Sequence, residues 1–158
     1  MDSKQSHEYF MRQALKQAEI AYNNQECPIG CVIVKDNKII ARAHNTKVKY
    51  NDPINHAEIL AIKKACKKLG DWRLTECTMY VTLEPCTMCT GALVQARIGK
   101  IYFGAYEPKS GAIVSRNNLL DVSHGHNHKV DFEGGICEEE ASQLLKSFFR
   151  AKRQTKLN

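Results

Sequence analysis

The sequence predicts an α/β domain, and three observations carry that prediction. The segments 78–83, 86–97 and 100–105 read as strand, helix and strand, the crossover spacing of a parallel strand pair. Residues 29–34 and 38–43 are β-branched-rich runs close enough to form a hairpin. Amphipathic stretches at both ends of the chain supply helices to cover a sheet.

Ser6 is placed to cap an opening helix running to about Asn24, because Phe10, Ala14, Ala18 and Ala21 recur at helical spacing and Glu8 suits a first turn. Lys35, Asp36 and Asn37 provide turn chemistry between the hairpin strands. After the polar stretch 44–50, Asp52 and Pro53 pair an N-cap with proline at the first helical position. A second helix is expected from there through His56, Glu58, Ile59, Ile62, Cys66 and Leu69. It should stop at Gly70, after Lys63, Lys64, Lys67 and Lys68. Residues 106–129 hold Gly, Asn, Ser and three His without periodicity, which reads as a functional loop with a helical turn at 117–122. Residues 130–136 add a last strand. Ala141, Leu144, Leu145, Phe148 and Phe149 form the apolar stripe of a closing helix. No repeat or boundary interrupts residues 1–158, which are expected to form a single domain.

Composition narrows the class. With 43% hydrophobic and 25% charged residues the chain is neither disordered, collagen-like nor coiled-coil. Lys and Arg number 23 against 17 Asp and Glu, and the resulting +6 suits an acidic partner such as nucleic acid without proving one. Seven cysteines cannot all pair within the chain, and Met1 to Ser6 lack the apolar core of a signal peptide, so a reduced, cytoplasmic setting is expected. No apolar run approaches the ~18 residues of a membrane span.

Pro85-Cys86-Thr87-Met88-Cys89 places two thiols at i and i+3 in a helix's first turn, where the positive end of the dipole favours thiolates. His56-Ala57-Glu58 lies near the start of another helix and offers an imidazole and a carboxylate. Successive helix positions turn by about 100°, so His56 and Glu58 face a common metal only from beyond the helix end. Two helix N-termini aimed at one zinc meet that condition. Three ligands leave a position for water, whose pKa zinc lowers from ~15.7 to about 7, and an unligated Glu58 can shuttle its protons. Other readings stand beside this one. The Cys-x-x-Cys could be a redox pair or half of a structural zinc site, His56 an ordinary histidine, and Glu58 a helix-capping carboxylate. Cys27, Cys31, Cys66, Cys77 and Cys137 lack ligand spacing and read as free thiols. His124, His126 and His128 read as loop histidines rather than a second metal site.

His-x-Glu followed by Pro-Cys-x-x-Cys is the pattern of the zinc-dependent cytidine-deaminase superfamily, and the chain resembles its bacterial tRNA-specific adenosine deaminase branch. That resemblance runs through Ser6-His7-Glu8-Tyr9, Val81-Thr82-Leu83-Glu84, Arg97-Ile98-Gly99, Phe103-Gly104-Ala105, Lys109-Ser110-Gly111-Ala112, Asn127-His128 and Phe148-Phe149-Arg150. It implies a three-layer α/β/α fold with a mixed five-stranded sheet, a cytoplasmic homodimer, one zinc per subunit, and conversion of the wobble adenosine of an arginine tRNA anticodon to inosine. It further implies zinc ligation by His56, Cys86 and Cys89, proton transfer by Glu58, and a grip on the flipped nucleotide by Asn45. Asn127, Phe148, Phe149 and Arg150 match positions near the anticodon loop. Glu107 stands where relatives often carry Asp, beside Lys109, while Val114 and Arg116 depart from the usual run. Lys146, Arg150, Lys152, Arg153 and Lys156, with no acid after Glu140, suggest a phosphate-binding face on the last helix. The competing functions are a deaminase of a free base or nucleoside, of guanine or cytosine type, and a non-enzymatic zinc-stabilised RNA-binding module.

Overall fold

The computed structural model describes residues 3–157, with side chains described for 4–155. Helix α1 (Ser3–Asn23) is followed by strands β1 (Gly30–Lys35) and β2 (Lys38–His44), a short helix α2 (Lys47–Tyr50), and helix α3 (Ala57–Leu69). Strand β3 (Thr78–Leu83), helix α4 (Thr87–Gln95) and strand β4 (Lys100–Ala105) make the crossover unit, and β5 (Asp131–Gly134) and α5 (Glu138–Leu157) complete the chain. The sheet runs β2-β1-β3-β4-β5. Strand β1 pairs antiparallel with β2 and β3, while β3, β4 and β5 are parallel. The expected mixed five-stranded α/β fold is present.

Side-chain alternation sorts the sheet into two faces. Cys31, Ile33, Met79, Val81, Ile101 and Phe103 point to α3 and α4, meeting Ala57, Ala61, Ala65, Leu93 and Val94 in the main core. Val32, Val34, Tyr80 and Tyr102 point the other way, onto Phe10, Met11 and Ala14 of α1. Ala105 and Leu15 meet Ala141 of α5 in a third, smaller cluster at the end of β4. Asp36 and Asn37, both at positive φ (51° and 61°), form the two-residue turn whose twist suits a hairpin. At Gly30 the helix backbone comes so close that an added Cβ would collide with the Ala14 carbonyl.

Several expected boundaries move. Helix α1 begins at Ser3, so Ser6 lies inside it and Glu8 is past the first turn, facing Arg12 at 3.7 Å. Part of the polar stretch before Asp52 winds into α2, because the buried carboxylate of Glu26 accepts the N–H groups of Val48 (3.1 Å) and Lys49 (2.8 Å). Asp52 accepts from Ile54 N–H at 2.9 Å, a local turn rather than a helix cap, and α3 starts only after His56. Helix α4 ends at Gln95 rather than Arg97, whose guanidinium donates to the Val94 carbonyl at 2.9 Å. The turn expected at 117–122 appears as a 3₁₀ turn at Val122–His124, capped by Asp121. Gly70 ends α3 in the left-handed conformation as expected, with φ 68°. Among the described residues no helix is long and apolar enough to cross a membrane.

Candidate active site

His56 is the N-cap of α3 and Cys86 the N-cap of α4, both with extended backbone (φ −77°, ψ 150° and φ −75°, ψ 178°), and their side chains meet at the starts of the two helices. Cys89 follows in the first turn of α4 and is buried. The His56 Nδ1 lies 3.7 Å from Cys86 Sγ and 3.5 Å from Cys89 Sγ, and the three ligand atoms all fall within 4.8 Å of one another. Zn–S bonds of ~2.3 Å and a Zn–N bond of ~2.0–2.1 Å give tetrahedral N···S edges of about 3.6 Å. The donor set and spacing therefore fit zinc with three protein ligands. Among the described residues this is the sole cluster of three or more metal-ligating side chains.

The two thiols shift in opposite directions. The Cys86 thiol is drawn down to about 4 by Cys89 and, against burial, by His56, which favours its thiolate. Cys89 is pushed up by Cys86 and by burial. The hydrogen bond to Cys86 raises His56, against its desolvation.

Glu58 occupies the first turn of α3, is 3% exposed, and its Oε1 has no hydrogen-bond partner. Burial pushes its carboxyl up to about 7, although its own backbone N–H draws it down. A polar atom buried without a partner is costly. Here it marks one carboxylate oxygen left uncommitted. Capping falls to Asn45, 3% exposed, whose Oδ1 accepts the Ala57 N–H at 2.8 Å.

The residues expected to meet RNA are only partly brought together. Glu107, Lys109, Phe149, Arg150 and Arg153 line one open groove of about 650 Å³ with Leu145 and Lys146. Phe148 is not among them: it is 6% exposed and packs edge-on against Tyr22, with ring centroids 5.8 Å apart, whereas Phe149 is 46% exposed. Asn127 is exposed in the loop before β5, outside that groove. Lys152 sits over the Phe148 ring, and the side chain of Lys156 lies outside those described. Desolvation pushes the half-buried Cys27 thiol up to about 11, with the Lys47 and Lys152 charges acting against that rise and Glu107 and Glu26 with it. His126 and His128 are engaged with the carbonyls of Leu119 (2.8 Å) and Ile98 (2.7 Å). The seven cysteines are free of disulfides.

Two acids matter that sequence reasoning passed over. Glu26 holds α2, and Glu84 holds the loop after β4. Burial opposes ionisation of Glu84, but the Ser115 hydroxyl and the N–H groups of Ser115, Val114 and Glu107 outweigh it and hold its carboxyl below the usual range. The available signal was a charged residue between the end of a buried strand and Pro85, a position where an acid persists only with partners.

Comparison with known proteins agrees with this geometry. The sequence model of the MafB19-like deaminase family matches residues 5–153. The chain is 46% identical over 149 residues to the tRNA-specific adenosine deaminase of Bacillus subtilis (strain 168), covering 94% of this chain and 92% of that one. It is 47% identical over 146 residues to the protein of the same name from Aquifex aeolicus (strain VF5), covering 92% and 95%. A structure from studies of A-to-I editing by tRNA:A34 deaminases superimposes with a TM-score of 0.83 and 42% identity, over 87% of this chain and 99% of that chain. A guanine deaminase from Nitrosomonas europaea shares the fold at 21% identity and a TM-score of 0.77, covering 89% of this chain and 83% of that one.

Proposed function

Because this chain belongs to the family of tRNA-specific adenosine deaminases, we propose that it hydrolyses the wobble adenosine of an arginine tRNA anticodon to inosine, as a cytoplasmic homodimer. The observation that carries the reading is the convergence of His56, Cys86 and Cys89 beside a buried Glu58 with an uncommitted carboxylate oxygen. His56 Nδ1 and the two thiolates would hold one zinc per subunit, which would supply the Lewis acidity that brings water deprotonation from ~15.7 to about 7. Glu58 takes the proton from the attacking water and delivers it to N1 of the purine. It then transfers the new hydroxyl proton to the amino group as the C6–N bond breaks, so adenosine and water become inosine and ammonia.

Asn45 spends its Oδ1 on α3 and keeps its amide nitrogen as the donor for the flipped nucleotide. Lys109, Arg150 and Arg153 offer phosphate contacts along the groove, and exposed Phe149 a stacking surface. An anticodon loop suits this arrangement because its bases unstack at lower cost than those of a duplex. The test incubates protein of measured zinc content with an anticodon stem-loop, adenosine, guanine and cytidine in parallel. Inosine in the stem-loop supports the reading, and activity on a free base with none on the stem-loop overturns it. Full-length arginine tRNA against other tRNAs decides the substrate.

A further inference from the structure

We propose that Glu84 is the positioning residue of the substrate loop, locking residues 107–115 to the strand end that carries the metal ligands. Glu84 stands between Leu83, the last residue of β3, and Pro85-Cys86, and is 2% exposed. Its Oε1 accepts the Glu107 N–H at 3.1 Å and the Ser115 hydroxyl. Its Oε2 accepts three successive backbone N–H groups, from Ile113 (3.1 Å), Val114 (2.7 Å) and Ser115 (2.9 Å). No ion pair involves Glu84 among the described residues, so these five donors are what neutralise the buried charge. The arrangement is an anion nest whose anion belongs to the chain itself.

The loop is moulded to that carboxylate. A Cβ at Gly111 would collide with the Glu84 carboxyl group, so only glycine allows the backbone this close. Two main-chain bonds flank the side chain: Glu84 N–H donates to the Ala105 carbonyl and Ala112 N–H to the Pro85 carbonyl, each at 2.9 Å. Residues 107–115 contain no helix or strand of their own, and they carry Glu107 and Lys109, which wall the groove. One side chain, two residues from a metal ligand, thereby sets where the groove wall stands relative to the metal. A loop released from it would visit its binding-competent position only part of the time, and apparent affinity falls by that fraction.

The inference rests on the proposed reaction for its kinetic readout, and Glu84→Gln tests it, because an amide offers one oxygen and a donor group where five donors arrive. The expected result is a KM for the anticodon stem-loop raised about tenfold or more, as if the loop were competent roughly a tenth of the time. Turnover should stay within about threefold and zinc content unchanged, since the ligands are untouched. Hydrogen exchange at the amides of 113–115 should accelerate while that of α4 does not. Unchanged KM and unchanged exchange at 113–115 overturn the proposal, as does lost zinc with a fallen kcat at constant KM. Should that variant fail to fold, Gly111→Ala disturbs the same contact from the loop side and must raise KM likewise. If the wild type makes no inosine the functional reading fails, and the exchange at 113–115 still decides the role of Glu84.

Discussion

The side-chain oxygen of Asn45 accepts the backbone N–H of Ala57 at 2.8 Å, so the residue that ends the β2 connection caps the helix that His56 begins. His56 makes no side-chain cap bond of its own, which leaves its imidazole for Cys86 and Cys89. Asn45→Ala should lower stability by about 1–2 kcal/mol, roughly 2–8 °C in melting temperature for a domain of this size. It should also reduce deamination, while Asn45→Asp, which keeps an oxygen at the cap, recovers the melting temperature. Paired melting curves and stem-loop assays check both halves.

Glu58→Gln keeps the shape of the side chain and removes its ability to exchange protons. Since general acid–base groups contribute ~10²–10⁴ in rate, turnover should fall by at least about a hundredfold. Zinc stoichiometry and the circular-dichroism spectrum should not change, because Glu58 is outside the ligand cluster. Undiminished turnover would remove Glu58 from the mechanism.

Chelation should abolish activity, and added zinc should restore it, while Cys89→Ala should neither retain the metal nor respond to its return. Metal analysis alongside the assay makes the comparison.

Arg150 and Arg153 lie in the groove with Lys109. Each Arg→Ala change should weaken tRNA binding and reduce the slope of log affinity against log salt by ~1 or slightly less. Binding titrations at several salt concentrations give the slope. A slope that does not move assigns these arginines to solvent.

His7 stacks on Tyr102, with ring centroids 4.1 Å apart, and its Nδ1 lies 2.7 Å from the Tyr80 hydroxyl. Burial first, then the Lys100 charge, lowers its pKa below the ordinary 6.5, with Glu133 acting in the opposite sense. The unfolded chain therefore takes up this proton more readily than the folded one. The contribution of His7 is intact above 6.5 and is lost as pH falls through the folded value. Denaturation midpoints measured across this range should decline on acidification, less steeply in His7→Gln than in wild type.

Strands β3 and β4 occupy the segments expected from sequence because both are near-continuous apolar runs bounded by polar residues, a pattern that burial on two faces leaves behind. The clustering of His56, Cys86 and Cys89 is legible for a similar reason: thiols at i and i+3 and a His-x-Glu carry their spacing openly. Helix starts were not, since α3 begins where Asn45 reaches it and not where Asp52-Pro53 signals one, and a cap supplied from a distant loop leaves no local trace. The closing helix showed the same limit in another form. Phe148 and Phe149 share one apolar stripe in sequence, but only the packing of α5 on Tyr22 turns the first inward and leaves the second in the groove. Glu84 and Glu26 were passed over because their partners are backbone N–H groups, which every sequence offers everywhere.

The strand ladders also act as a ruler. Cys31 stands opposite Val81, and Leu83 opposite Ala105, just before the chain turns into Cys86. A one-residue slip of β3 would carry Cys86 about 3.3 Å along the sheet and exchange its inward and outward side chains. The two halves of the cluster would then miss each other, since His56 reaches it through β2 and the cysteines through β3. With zinc on this cluster, metal loading would be a readout of strand alignment: a chain that had mispaired β3 would be sorted from a correctly threaded one by whether it retained the ion.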